Sequence, residues 1–286
     1  MPPLQLVECP RDAMQGWATP IPTATKVAYI QQLLNVGFHT IDFGSYVSAK
    51  AIPQMADTQE VLNQLDVSNT ATKLLAIVAN ERGAIEATAQ EKISYLGFPF
   101  SVSPTFQLRN TNSTQQQSVE RVEAIQELCV KNHKQLVVYL SMGFGNPYAD
   151  EYCTAILLHW AQTMVQLGVQ TISLADTVGI ATPEQIETAL TTLTQAYPSI
   201  QWGVHLHATA TNWQPKLMAA FNSGCTRFDA ALLGIGGCPM AQDHLVGNVD
   251  THWVLQYLRQ NSLLPSQFNE AAYQQALHMA SSIFQA

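Results

Sequence analysis

Eight short runs rich in β-formers recur along the chain, at Leu4–Val7, Thr40–Phe43, Leu74–Val78, Lys92–Leu96, Gln135–Leu140, Gln170–Leu174, Gln201–His205 and Thr226–Asp229. Helix-length segments separate them, with helical patterns at Thr23–Val36, Ser113–Val130, Asp150–Leu167, Pro183–Gln195, Asn212–Asn222 and Pro265–Phe284. Strands alternating with helices call for a parallel sheet. Gly37, Gly168 and Gly224 each stand just past a helical pattern and lead into the next strand, where a left-handed helix cap favours glycine. Eight such units make a (β/α)8 barrel, an α/β fold of TIM-barrel type, over residues 1–286 as a single domain. An open doubly wound sheet is the competing architecture.

Composition narrows the function. The chain has 286 residues, long for one domain but ordinary for an α/β barrel. With 13 Lys+Arg against 21 Asp+Glu and no basic run, it lacks the footprint of a phosphate-backbone binder, so no nucleic-acid partner is expected. No apolar stretch is long enough to span a bilayer, and residues 1–14 show no export signal, so no membrane association is expected. Five scattered cysteines in a chain of this size read as reduced thiols in a cytoplasm.

In a barrel of this kind chemistry collects at the C-terminal ends of the strands. Those ends carry Arg11 and Asp12, Asp42 and Ser45, Ser141, Asp176 and Thr177, His205 and His207, and Asp229. In "VHLHATATN" the two histidines alternate on one strand and leave the same face. Two imidazoles and a carboxylate converging on one mouth suit a divalent metal. Taken alone, the pair is only suggestive, the alternative being two histidines hydrogen-bonded to neighbouring carboxylates.

The segments "LVECPRDAMQ", "IDFGSYVSAKAIPQMAD", "ISLADTVGIATP", "VHLH" and "GIGGCPMAQDHLVGN" follow one another from residue 6 to residue 248. Together they resemble the successive signatures of the 3-hydroxy-3-methylglutaryl-CoA lyases, within the metal-dependent TIM-barrel lyases and synthases. The resemblance implies that Asp12, His205, His207 and Asn248 ligate a divalent cation, Mg2+ or Mn2+. It implies an acyl-CoA substrate, split by retro-Claisen cleavage into acetyl-CoA and acetoacetate. Arg11 is then the partner of the enolate oxygen, Asp12 or His205 the base, and Cys238 of the glycine-rich loop the acid. Asp42, Ser45 and Asp176 are expected to contact substrate. The other four cysteines read as inert, and a homodimer is left open.

This chain departs from the family pattern at several places. Asp42 stands where the family has glutamate, Ala208 where it has an acidic residue after the second histidine, and His252 where it has one beyond the metal asparagine. "RDAMQGW" replaces the usual "RDGLQNE". Groups around a metal orient its ligands and tune it, so these changes leave two alternatives beside the lyase. One is a related enzyme acting on another 3-hydroxyacyl-CoA or a 2-oxo acid; the other is a non-catalytic metal-binding barrel.

Overall fold

The computed structural model describes residues 3–237 and 246–285. Its eight strands are β1 (Gln5–Glu8), β2 (Thr40–Ser45), β3 (Lys73–Ile77), β4 (Ile93–Ser101), β5 (Gln135–Ser141), β6 (Thr171–Ala175), β7 (Gln201–His205) and β8 (Arg227–Ala230). Each pairs in parallel with its sequence neighbour, and β8 returns to β1 through Gln5↔Arg227 to Glu8↔Ala230, closing the barrel. The expected architecture is therefore the observed one.

The helices are α1 (Pro10–Gln15), α2 (Thr23–Leu34), α3 (Thr58–Gln64), α4 (Glu81–Thr88), α5 (Pro104–Thr111), α6 (Gln115–Lys131), α7 (Thr154–Gln166), α8 (Pro183–Ala196), α9 (Trp213–Asn222), α10 (Thr251–Gln260) and α11 (Glu270–Ile283). Helices α1, α3, α4, α5 and α10 were not read from the pattern; at six to ten residues they are too short for a 3.6-residue period to stand out. Helix α7 begins four residues later than expected, because Asp150 does not cap it. Its carboxylate instead accepts bonds from Ser103, from Thr105 N (3.0 Å) and from Thr105 Oγ1 (2.8 Å), at the start of α5. Helix α11 likewise starts at the true cap, Asn269, which accepts from Ala272 N.

Strand β4 runs on through Gly97 and Pro99, residues that look like breakers in the sequence. Gly97 leaves room for its neighbours, since a Cβ there would meet Ile77 Cδ1 at 2.5 Å and the Tyr139 ring at 3.0 Å. Outside the strands, apolar side chains such as Phe98, Phe100, Ile172 and Leu174 are fully buried under the helices. Inside, the barrel is partly polar. Arg227 is completely buried, donates to Gln5 Oε1 and lies over the Tyr95 ring. No helix of the described residues is long and apolar enough to cross a membrane.

Candidate active site

Helix α1 follows β1 with only Cys9 between them, and Pro10 at its first turn fixes the turn. This short joint places Arg11 and Asp12 at the mouth. The Arg11 guanidinium donates from Nε to both Asp42 oxygens (3.2 and 3.1 Å), from Nη2 to Asp42 Oδ2, and from Nη1 to Asp12 Oδ1 (2.9 Å). Asp42 reaches Arg11 although it is one methylene shorter than glutamate. A register shift between Asp42 and Gly44 accompanies this, and Gly44 allows close packing, since a Cβ there would sit 2.6 Å from Thr58 Cγ2. Burial opposes the charge on Arg11, yet Asp42 and Asp12 outweigh it and hold the guanidinium protonated.

His205 ends β7 and His207 follows two residues later, with ring centroids 5.4 Å apart. His205 Nδ1 lies 3.3 Å from Asp229 Oδ2, a bond that leaves Nε2 for another partner. Asn248 is brought in by stitching beyond β8. Ala208 N donates to Gly247 O, Val249 N to Leu206 O and Thr251 N to Ala231 O, so that His207 and Asn248 face each other in an antiparallel bridge. Asn248 Nδ2 then donates to Asp12 Oδ2 at 2.7 Å and to Ile235 O at 3.0 Å. Gly236 makes this approach possible: its φ is +117° and a Cβ would lie 2.3 Å from Asn248 Nδ2 and 2.8 Å from Asp12 Oδ2.

Asp12, Asn248, His207 and His205 are thus linked as successive neighbours at the mouth, although among the described residues the His, Cys, Asp and Glu donors that lie within 4.8 Å of one another are those of Cys9, His205 and Asp229. Burial works to raise the Asp12 carboxyl, but Arg11, His205 and the Asn248 amide outweigh it and bring it down to about 2. Burial and the neighbouring His205 push His207 down to about 3, so its ring is neutral. Among the described residues, His207 Nδ1 and Asn248 Oδ1 are buried without a hydrogen-bond partner, although the Val246 backbone also acts on the His207 ring. Such orphans are rare, and two lone-pair donors beside an ionised carboxylate are what a divalent cation requires. The residues present therefore fit the group.

Buried Cys9 and Asp229 and half-buried His205 have donor atoms within 4.8 Å of one another, and this cluster too could hold a divalent metal. Cys9, read from the sequence as inert, is a buried free thiol that stands beside two other donors. The available signal was strand parity, since Gln5, Val7 and Cys9 alternate toward the barrel interior. Burial, together with Asp229, Asp42 and Asp12, pushes the Cys9 thiol well above its usual range.

A cavity of about 220 Å³ opens at this mouth, lined by Arg11, Asp12, Asp42, His205 and His207 on one side of its chemistry and by Val47, Ile52, Ile77, Pro99, Phe106 and Tyr139 on the other. The apolar part was missed in the sequence because single apolar residues at strand ends resemble ordinary core. Two expected substrate contacts have other tasks. The Asp176 carboxylate, 1% exposed, accepts from Lys216 Nζ (2.7 Å) and Ala181 N (3.0 Å), and Lys216 also donates to Gly179 O (2.9 Å) and His207 O (2.8 Å). Ser45 Oγ accepts from Val47 N at 3.2 Å. Neither residue lines the cavity. Cys238 lies outside the described residues.

The chain is similar to known proteins over most of its length. The HMGL-like family model matches residues 5–278. The chain is 30% identical over 254 residues to the hydroxymethylglutaryl-CoA lyase YngG of Bacillus subtilis, covering 88% of this chain and 83% of that one. It is 30% identical to the cytoplasmic 3-hydroxy-3-methylglutaryl-CoA lyase of Rattus norvegicus, over 87% of this chain and 72% of the relative. Among solved structures, an HMG-CoA lyase from Acinetobacter baumannii in complex with coenzyme A and 3-methylmalate superposes with a TM-score of 0.90 at 29% identity, covering 98% and 91% of the two chains.

Proposed function

Because this chain belongs to the HMGL-like family, we propose that it is a divalent-metal-dependent carbon–carbon lyase that cleaves 3-hydroxy-3-methylglutaryl-CoA to acetyl-CoA and acetoacetate. The observation that supports the reading is a run of contacts at the mouth: Asn248 donates to Asp12 and bridges to His207, whose ring lies 5.4 Å from that of His205, beside a charged Arg11. Those four residues would hold Mg2+ or Mn2+. When bound, the cation supplies a Lewis acid for the tertiary hydroxyl of the substrate and lowers its pKa.

The chain's own groups do the rest. Of the two candidate bases, Asp12 takes the hydroxyl proton as the bond between the carbinol carbon and the acyl α-carbon breaks, because the lone pair of His205 would be committed to the cation. The electron pair moves onto the thioester as an enolate, and Arg11, held in place by Asp42, offers its free N–H groups to that oxygen. Cys238 returns a proton to the α-carbon, releasing acetyl-CoA. The apolar lining of the cavity excludes water from the enolate. The four described cysteines are free thiols, which suits the cytoplasm as the proposed compartment.

A different 3-hydroxyacyl-CoA is the second reading, favoured by Ala208, which is buried and cannot ionise, and by Asp176, which is engaged by Lys216. The test is acetyl-CoA release across a panel of 3-hydroxyacyl-CoA thioesters, with and without Mg2+ or Mn2+, beside calorimetric Mn2+ titration. The lyase reading expects metal-dependent release that is greatest with the 3-hydroxy-3-methylglutaryl thioester, and no Mn2+ binding by His207→Ala. Greatest release with another thioester establishes the second reading. Mn2+ binding by His207→Ala equal to that of the parent overturns the ligand set.

A further inference from the structure

We propose that Cys9, Asp229 and the Nδ1 edge of His205 form a second cation site, one that takes a thiophilic divalent ion such as Zn2+ or Cd2+ and disables the first site by claiming their shared histidine. The inference rests on the ligand set proposed above only in its second half; the new site stands on its own donors.

Three donors face one another there within 4.8 Å. A tetrahedral ion bound at about 2.0–2.3 Å needs its ligands roughly 3.3–3.8 Å apart, so side-chain adjustments of about an ångström close the site. None of the three is firmly committed elsewhere. Cys9 Sγ has a weak contact with Val7 O at 3.9 Å. The Asp229 side chain is fully buried, and among the described residues its Oδ1 has no hydrogen-bond partner, only a long ion pair with Arg227 Nε at 3.9 Å. The His205–Asp229 bond is long at 3.3 Å. His205 lines the cavity, so one of the three donors borders the mouth.

The donor set selects the ion. Thiolate prefers Zn2+ or Cd2+, whereas Mg2+ and Mn2+ prefer the oxygen-richer set above. On binding, the thiol proton is released to water and a sulfur–metal bond replaces it, so thiolate and carboxylate balance the dication and the neighbouring Arg227 guanidinium leaves one net positive charge. Exclusion follows from the imidazole itself. A neutral ring has one nitrogen lone pair for coordination and one N–H. With Nδ1–H on Asp229, the lone pair is on Nε2 and serves the first site. A cation on Nδ1 moves the hydrogen to Nε2, and the first site loses a ligand.

The experiment is a Cd2+ titration followed by the ultraviolet thiolate-to-metal charge-transfer band, in a Cys153→Ser/Cys238→Ser background that silences the exposed thiol and the loop thiol. One band-forming Cd2+ per chain is expected, with the band lost on adding Cys9→Ala. In Mn2+-loaded protein, Cd2+ should release Mn2+, read by electron paramagnetic resonance. Cys9→Ala should raise the Cd2+ concentration needed by about tenfold or more, while an unchanged Mn2+ affinity reports an intact fold. His207→Ala should lose Mn2+ yet keep the Cd2+ band, which separates failure of the first ligand set from failure of the second. A band that survives Cys9→Ala, or no band in the background protein, overturns the site. A full band with Mn2+ still bound overturns the shared histidine.

Discussion

Arg11 and Asp42, on α1 and β2, are joined by three N–H···O contacts that fix the plane of the guanidinium at the cavity mouth. Asp12 takes a fourth, from Nη1. A cation oriented in this way is already organised for charge that develops on an oxygen, and no reorganisation is needed at the moment of reaction. Arg11→Lys keeps the charge and loses the fork. Turnover should fall by about 10²–10³-fold, the range for removing one such donor, with Mn2+ affinity changed only a few-fold. Steady-state kinetics beside calorimetry check this, and unchanged turnover would remove Arg11 from the chemistry.

Cys238→Ala should reduce turnover by about 10²–10⁴-fold, the usual contribution of general acid–base catalysis. Metal affinity and thermal stability should stay near the parent values, because the proposed ligands do not include the thiol. Acetyl-CoA release by the purified variant at the parental rate would sink the assignment.

Lys216→Met removes a buried cation that holds Asp176, Gly179 O and the His207 carbonyl together. Breaking such a pair on one side leaves a buried charge and costs roughly 3–5 kcal/mol, which denaturant unfolding measures. Because one of the three bonds is to the backbone of His207, Mn2+ affinity should fall as well. Adding Asp176→Asn should restore part of the stability, since the stranded charge is then gone; no recovery would mean that the clamp acts through packing alone.

His39, beside the start of β2, is pushed down to about 4 by burial and by the charges of Arg227 and Lys73. Its unfolded value is near 6.5. Between these values the unfolded chain binds the proton more tightly, so this contribution to stability is present above pH 6.5 and is lost as pH falls toward 4. His39→Gln should flatten the slope of Tm against pH in that interval. An unaltered slope would mean that other groups govern the acid limb.

The alternation of β-rich runs and helical segments determined the barrel, because a strand–helix–strand unit has few ways to bury both faces, and eight of them close. The same logic put Arg11, Asp12, Asp42, His205 and His207 at one mouth, since strand ends share one side of such a fold. What lay beyond local pattern was every relationship set by closure. Asn248 faces His207 because residues 246–250 are stitched onto the ends of β7 and β8. Cys9 meets His205 and Asp229 because β1 pairs with β8 in a particular register. Asp176 turns from the cavity to Lys216 because α9 passes behind it with a buried ammonium. Strand parity and period are properties of neighbouring residues and can be read from the chain. Which side chain meets which across the barrel depends on register and packing among strands far apart in sequence, and only the closed tertiary structure decides it.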